Sequence, residues 1–255
     1  MTRCSIQEQK NFSDCSSKHK KYLEWGISKN IGRAISDYGL IQDGDKILVR
    51  LCGKADDLVL LKVLSDRRAF VPIRYEISGG YIDQRDSNPL RDFLARFCKQ
   101  CGCSFVVKKI KSFKKQRLER NGFYKDYLEE DDPYFKMAES EGCLKIALPA
   151  HKDDAVRVLL ENLLFKGIVA PLEPIKEFFK RKVTVIRPLV YVEKHEIEEW
   201  ARLNRLPLSG KKPRVFISRQ QAALEQMIDG LLQGCPSVKT NILRSVQRIK
   251  RDYLY

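Results

Sequence analysis

Residues 46–64 read KILVRLCGKADDLVLLKVL. The first six are apolar except for Lys46 and Arg50, with no polar–apolar alternation, as in a strand buried on both faces. Cys52-Gly53-Lys54 then breaks the run, and Leu58, Leu61 and Leu64 recur at helical spacing. A strand that enters a glycine-bearing turn and then a helix aims backbone N–H groups and the helix dipole at one spot. That is an anion site in principle, although an ordinary strand–helix turn has the same outline.

The pattern repeats outward from this stretch. Upstream, Leu23, Ile27, Ile31, Ile35 and Tyr38 predict a helix from about Tyr22, capped by Gly39. Residues 1–20 read as a flexible lead-in. Downstream, Phe70–Ile77 reads as a strand broken by Ser78-Gly79-Gly80. A helical stripe follows through Leu90, Phe93, Leu94, Phe97, Cys98 and Cys101, then a strand at Ser104–Ile110. Cys143–Leu148 is a further buried strand, and a helix from about Asp153 carries Val156, Leu159, Leu160, Leu163 and Leu164. Val183–Ile186 is strand-like, and residues 193–204 return to helix. This rhythm predicts an α/β fold, a parallel sheet with helices on both faces, over residues 21–208. Residues 209–255 read as a helical C-terminal extension, with apolar stripes at Leu224–Leu232 and Ile242–Tyr253. Ligands of such sheets sit beyond the carboxyl ends of the strands.

The chain has 255 residues, with 48 Lys and Arg against 33 Asp and Glu, a formal charge of +15. That balance favours a polyanionic partner. The charge is clustered in Lys108, Lys109, Lys111, Lys114, Lys115, Arg117 and Arg120, and again in Lys211, Lys212 and Arg214. No apolar run is long enough to span a membrane, and the polar N-terminus does not read as a secretory signal. Cytoplasmic residence with reduced thiols is expected for the eight cysteines.

Three blocks carry a family resemblance: ISKNIGRAISDYGLIQDGDKILVRLCGKADDLVLL, CLKIALPAHKDDAVRVLLENLLFKG and VTVIRPLVYVEKHEIEEWARLNRLPL. In this order and spacing they resemble the tRNA 2-thiocytidine synthetase branch of the PP-loop (N-type ATP pyrophosphatase) superfamily. The resemblance implies a PP-loop, HUP-like fold, ATP with magnesium, tRNA as substrate, and base adenylation followed by sulfur transfer.

The family's first motif is Ser-Gly-Gly-Lys-Asp-Ser. Here Cys52, Gly53, Lys54, Ala55, Asp56 and Asp57 stand in its place, so Gly53 and Asp56 match. Asp57 puts a carboxylate where a hydroxyl would meet phosphate. Two like charges about 4 Å apart repel by on the order of 4 kcal/mol at an effective dielectric of 20. Weak or absent ATP binding is expected. The second motif, Gly-His-His-Arg-Asp-Asp, corresponds to Pro149-Ala150-His151-Lys152-Asp153-Asp154. His151, Asp153 and Asp154 are kept. The two acids suit a magnesium or nucleotide role and equally suit simple capping of a helix N-terminus.

The resemblance also implies two Cys-x-x-Cys pairs holding a [4Fe–4S] cluster. Both regions, YFKMAESEGCLKIAL and LSGKKPRVFISRQ, lack them, so no iron–sulfur cluster and no metal is expected. Cys98, Cys101 and Cys103 have metal-like spacing but share a stripe with core residues. Three functions follow from this. They are an RNA-binding family member whose thiolation chemistry is lost or attenuated, an active ATP-dependent tRNA-modifying enzyme, and a non-RNA interaction protein using the C-terminal helices. A homodimer is compatible with each.

Overall fold

The computed structural model describes residues 4–83, 88–110, 133–178, 182–206, 219–235, 237–250 and 252, with side chains from residue 18 onward. The basic residues Lys111, Lys114, Lys115, Arg117, Arg120, Lys211, Lys212 and Arg214 lie outside the described residues.

Helix α1 spans Cys4–Tyr38. It therefore begins well before the expected start near Tyr22; residues 4–25 contain neither Gly nor Pro to stop it. Leu23, Ile27, Ile31 and Ala34 form its buried face, each large aliphatic side chain contributing roughly 1.5–3 kcal/mol. Gly39, at φ +60, ends it as expected.

Strand β1 (Asp45–Leu51) leads into α2 (Ala55–Arg67), β2 (Tyr75–Asp83), α3 (Pro89–Gln100) and β3 (Ser104–Lys109). Helix α4 (Pro133–Ser140), β4 (Lys145–Ala147), α5 (Lys152–Lys166), β5 (Ile175–Phe178), β6 (Val183–Ile186) and α6 (Lys194–Leu203) follow. The extension contains α7 (Arg219–Gly234) and α8 (Val238–Ser245). The strands form one sheet in the order β3-β2-β1-β4-β6-β5. All neighbouring pairs are parallel except β5 with β6.

The core explains the unbroken apolar run in β1. Ile47, Val49 and Leu51 face a cluster built with Ile31 of α1, Leu61 of α2, Phe97 of α3 and Trp200 of α6. Leu48 faces the other side, against Phe135 and Met137 of α4. The expected α/β sheet with helices on both faces is thus present.

Three details differ from the sequence reading. Strand β2 begins at Tyr75 and runs straight through Ser78-Gly79-Gly80 instead of ending there. These glycines permit close packing: a Cβ at Gly79 would come within 2.6 Å of Cys98 Sγ, and one at Gly80 within 2.8 Å of Met137 Sδ. Helix α4 and the edge strand β5 were not expected, because eight and four residues are too short to display a period. In the extension, α8 ends at Ser245, short of the expected stripe through Ile249, which is 53% exposed; what docks is Leu224 and Ile228 of α7 on Val156 and Leu160 of α5, and Leu243 of α8 beside Leu172.

Candidate functional site at the carboxyl ends of β1 and β4

The chain leaves β1 toward β2 and β3 on one side and later returns through β4 to β6 and β5 on the other. The β1–β4 junction is the switch point where helices diverge and a crevice opens. The two turns singled out in the sequence, Cys52–Asp57 and Pro149–Asp154, both follow strands that end there.

In the first turn Gly53 adopts φ +82, and a Cβ there would strike Leu90 of α3 at 2.5 Å. Only glycine fits both constraints. Asp57, 1% exposed, does not project outward to where a phosphate would lie. Its Oδ2 accepts the backbone N–H of Cys52 at 2.5 Å and that of Lys54 at 3.1 Å. The carboxylate thereby occupies the donors that such a turn would offer a bound anion. Its Oδ1 has no hydrogen-bond partner among the described residues. Burial pushes the Asp57 carboxyl above its ordinary range, while the Cys52 N–H and Arg50 pull the other way. Beneath the turn, the Tyr134 hydroxyl donates to Leu51 O at 3.1 Å.

The second turn starts α5. His151 is its N-cap, with Nδ1 accepting the Asp154 N–H at 3.3 Å. Asp154 returns the contact by accepting the His151 N–H at 3.1 Å, and it also accepts Arg157 at 2.8 Å. The two turns face each other through Asp56. Burial raises its carboxyl from 3.8 to about 6; His151 opposes the rise, and Asp57 and Asp154 add to it.

Asp153 turns toward the C-terminal extension. It accepts the Lys194 N–H at 2.8 Å and the Lys239 ammonium at 2.5 Å. Lys239 also lies 3.5 Å from Glu193, which pairs with Lys152 at 2.8 Å. Burial pushes the Asp153 carboxyl up, but Lys239 and the Lys194 N–H outweigh it and hold the net value below the ordinary range. Lys239, 8% exposed, and Glu193 were missed in the sequence. Only the fold brings α8 to the N-termini of α5 and α6.

Lys108 and Lys109 end β3, at the carboxyl edge of the same sheet. Cys98, Cys101 and Cys103 lie where α3 turns into β3, and Cys143 precedes β4, so all four are at the amino ends of the strands. Burial raises Cys98 to about 12 and Cys101 to about 11, keeping them protonated thiols. Cys52 stands alone among the strand-flanking described cysteines at the crevice, and Cys235 is exposed between α7 and α8. Among the described residues, no three His, Cys, Asp or Glu side chains group as metal ligands. The described thiols therefore do not match the three or four converging donors a [4Fe–4S] cluster requires at this crevice. The filled turn likewise does not match a pyrophosphate.

A mostly parallel six-stranded sheet with its motif turns at the switch point defines the PP-loop, HUP-like class. No family model matches the chain. The tRNA-cytidine(32) 2-sulfurtransferase of Geobacter sulfurreducens is 31% identical over 245 residues, covering 89% of this chain and 91% of that protein. The corresponding protein of Geotalea daltonii is 30% identical over 234 residues, covering 89% and 93%. Among solved structures, the U34-tRNA thiolase NcsA from Methanococcus maripaludis with its [4Fe-4S] cluster aligns at TM-score 0.64 and 17% identity, over 90% of this chain and 79% of that one. That alignment supports the fold. The chain belongs to the tRNA-cytidine(32) 2-sulfurtransferase family. No described helix is long and apolar enough to cross a membrane.

Proposed function

We propose that this protein binds tRNA as a member of its family in which ATP-dependent thiolation is lost or strongly attenuated. One observation carries the reading: Asp57 Oδ2 fills the anion-binding turn with the protein's own carboxylate. A triphosphate entering there would have to displace a buried hydrogen-bonded carboxylate and then sit against Asp56 and Asp57. The missing Cys-x-x-Cys pairs agree with this, as does the absence of described thiols at the crevice apart from Cys52. The protein is accordingly expected to carry no iron–sulfur cluster and to work in the cytoplasm. tRNA comes to this chain from its relatives' activity, together with the +15 charge and the basic residues Lys108–Arg120 and Lys211–Arg214.

A second reading, an active tRNA-modifying enzyme, draws on the kept residues Asp56, His151 and Asp154, whose charges meet at the switch point. Titration with ATP and magnesium separates the two. The unaltered protein is expected to bind no more tightly than millimolar, and Asp57→Ser to bind at least tenfold more tightly. Submicromolar ATP affinity in the unaltered protein, or 2-thiocytidine formed in tRNA by it, overturns the proposal. Anaerobically prepared protein is expected to contain no iron.

A further inference from the structure

The solvent face of α1 lies outside the crevice. Lys18, Tyr22, Trp25, Lys29 and Arg33 recur every three or four residues along it, and all five are exposed. The opposite face is already saturated by Leu23, Ile27, Ile31 and Ala34. Tyr22 is 72% exposed and Trp25 57%. Their ring centroids are 6.1 Å apart, and Lys29 Nζ stands 4.8 Å from the Trp25 ring centroid. Large rings bordered by cations are the composition of a stacking platform for unpaired bases. Between residues 18 and 33 the helix carries five Lys or Arg and one acid, Glu24.

The stripe leads somewhere. Arg33 lies 4.6 Å over the Tyr191 ring and lines a cavity of about 450 Å³, together with Tyr38, Lys152 and Arg244. Lys152 opens α5, next to the N-cap His151 that faces Asp56. The cavity thus runs from the Arg33 end of the helix surface to Lys152; its lining is mixed, with Glu193 and Glu196 among the cations and rings, and Arg33 also pairs with Asp37 at 3.4 Å.

We propose that the α1 stripe is an RNA contact. Unpaired bases stack on Tyr22 and Trp25, and the backbone phosphates are neutralised by Lys18, Lys29 and Arg33, which guide the strand along the cavity toward the crevice. The inference rests on the tRNA-binding reading and adds a site to it. A second copy of the chain fits this face poorly. A two-fold contact through the stripe would set the cations of one copy against those of the other.

The test uses the full chain. It has two tryptophans, Trp25 and the 3% exposed Trp200, so exposed-tryptophan emission reports on Trp25. Adding an unstructured oligouridylate is expected to quench that emission, and Trp25→Phe to abolish the quench. The double variant Tyr22→Ala with Trp25→Ala is expected to bind tRNA about tenfold or more weakly, with an unchanged unfolding midpoint because both rings are exposed. If the unaltered protein binds tRNA, the double variant binds it equally and no quench occurs, the stripe is not an RNA site and the tRNA reading stands. If tRNA does not bind but oligouridylate quenches Trp25, the tRNA reading falls and the stripe survives as an RNA contact. If neither binds, both fall. If the double variant changes a dimer to a monomer at unaltered RNA affinity, a second copy covers the stripe and the inference is overturned.

Discussion

Two adjacent aspartates, Asp56 and Asp57, behave differently because of where their carboxylates end up. Asp57 is folded into its own turn, whereas Asp56 points across the crevice at His151 and Asp154. The raised value of Asp56 has a signed consequence. The native state keeps its proton above pH 3.8, where the unfolded chain has released it. The associated stability is complete below about pH 3.8 and is lost as pH rises through about 6. At neutral pH the charged Asp56 is therefore a destabilising group. At about 1.4 kcal/mol per pH unit the effect is bounded near 3 kcal/mol, and its partial exposure lowers that to about 1–2 kcal/mol. Asp56→Asn is expected to stabilise the protein by that amount at pH 7 in urea unfolding and to flatten the pH dependence between 4 and 6. A glycine tests the core in the same way. Gly79→Ala places a methyl against Cys98 Sγ and Leu51, and is expected to lower stability by about 1–3 kcal/mol. Combining it with Cys98→Ala should recover part of the loss, measured as a double-mutant cycle.

At the scale of elements, α8 is tied to the sheet's helices by charge as much as by apolar contact. Lys239 bridges Asp153 at the start of α5 and Glu193 at the cap of α6. Lys239→Met leaves two carboxylates facing each other without their shared cation. A loss of about 2 kcal/mol is expected, with faster amide exchange in α7 and α8 than in β1. Asp153 and Glu193 are both held below their ordinary values; burial raises each, and the lysines more than reverse it. This part of the stability is present above the ordinary carboxylate range and fades as pH falls through the depressed values. Lys239→Met should weaken that acid-side dependence in the unfolding midpoint without removing it, because Lys152 still holds Glu193 and the Lys194 N–H still holds Asp153. Elements also decided which motifs could be read. Strand β1 and helix α5 are long and buried enough to show their type in composition. Helix α4 and strand β5 take their form from the neighbours that cover them, Phe135 packing edge-on against Phe178 at 5.0 Å.

For the whole molecule, the excess of fifteen positive charges makes association with RNA strongly salt-dependent. Log affinity for tRNA is expected to fall linearly with log salt, by roughly 0.7–0.9 per neutralised phosphate. Reversing Lys108, Lys109 and Lys111 to Glu should weaken binding to every RNA and flatten that slope. A preference for folded tRNA over an unstructured RNA of equal length at physiological salt distinguishes the proposed function from a generic basic surface. Equal binding of the two contradicts it.

The parallel sheet, the succession of its longer strands and helices, and the family were legible in the chain. Buried parallel strands leave continuous apolar runs such as KILVRL, and motif turns keep their spacing even where their residues change. The two turns could be placed at strand ends for the same reason. What each side chain does there was not legible. That Asp57 turns back onto the Cys52 and Lys54 amides, that Gly79 and Gly80 lie inside a strand, and that Lys239 reaches Asp153 across 86 residues all depend on what packs alongside. The thiols show the division clearly. Their spacing suggests a ligand set, but the parallel sheet puts Cys98, Cys101 and Cys103 at the amino ends of its strands and the crevice at the carboxyl ends. Local sequence sets which element a residue joins, through periodicity and backbone preference. The direction of the strands and the closeness of distant helices set which chemistry it can meet, and those exist only in the folded chain.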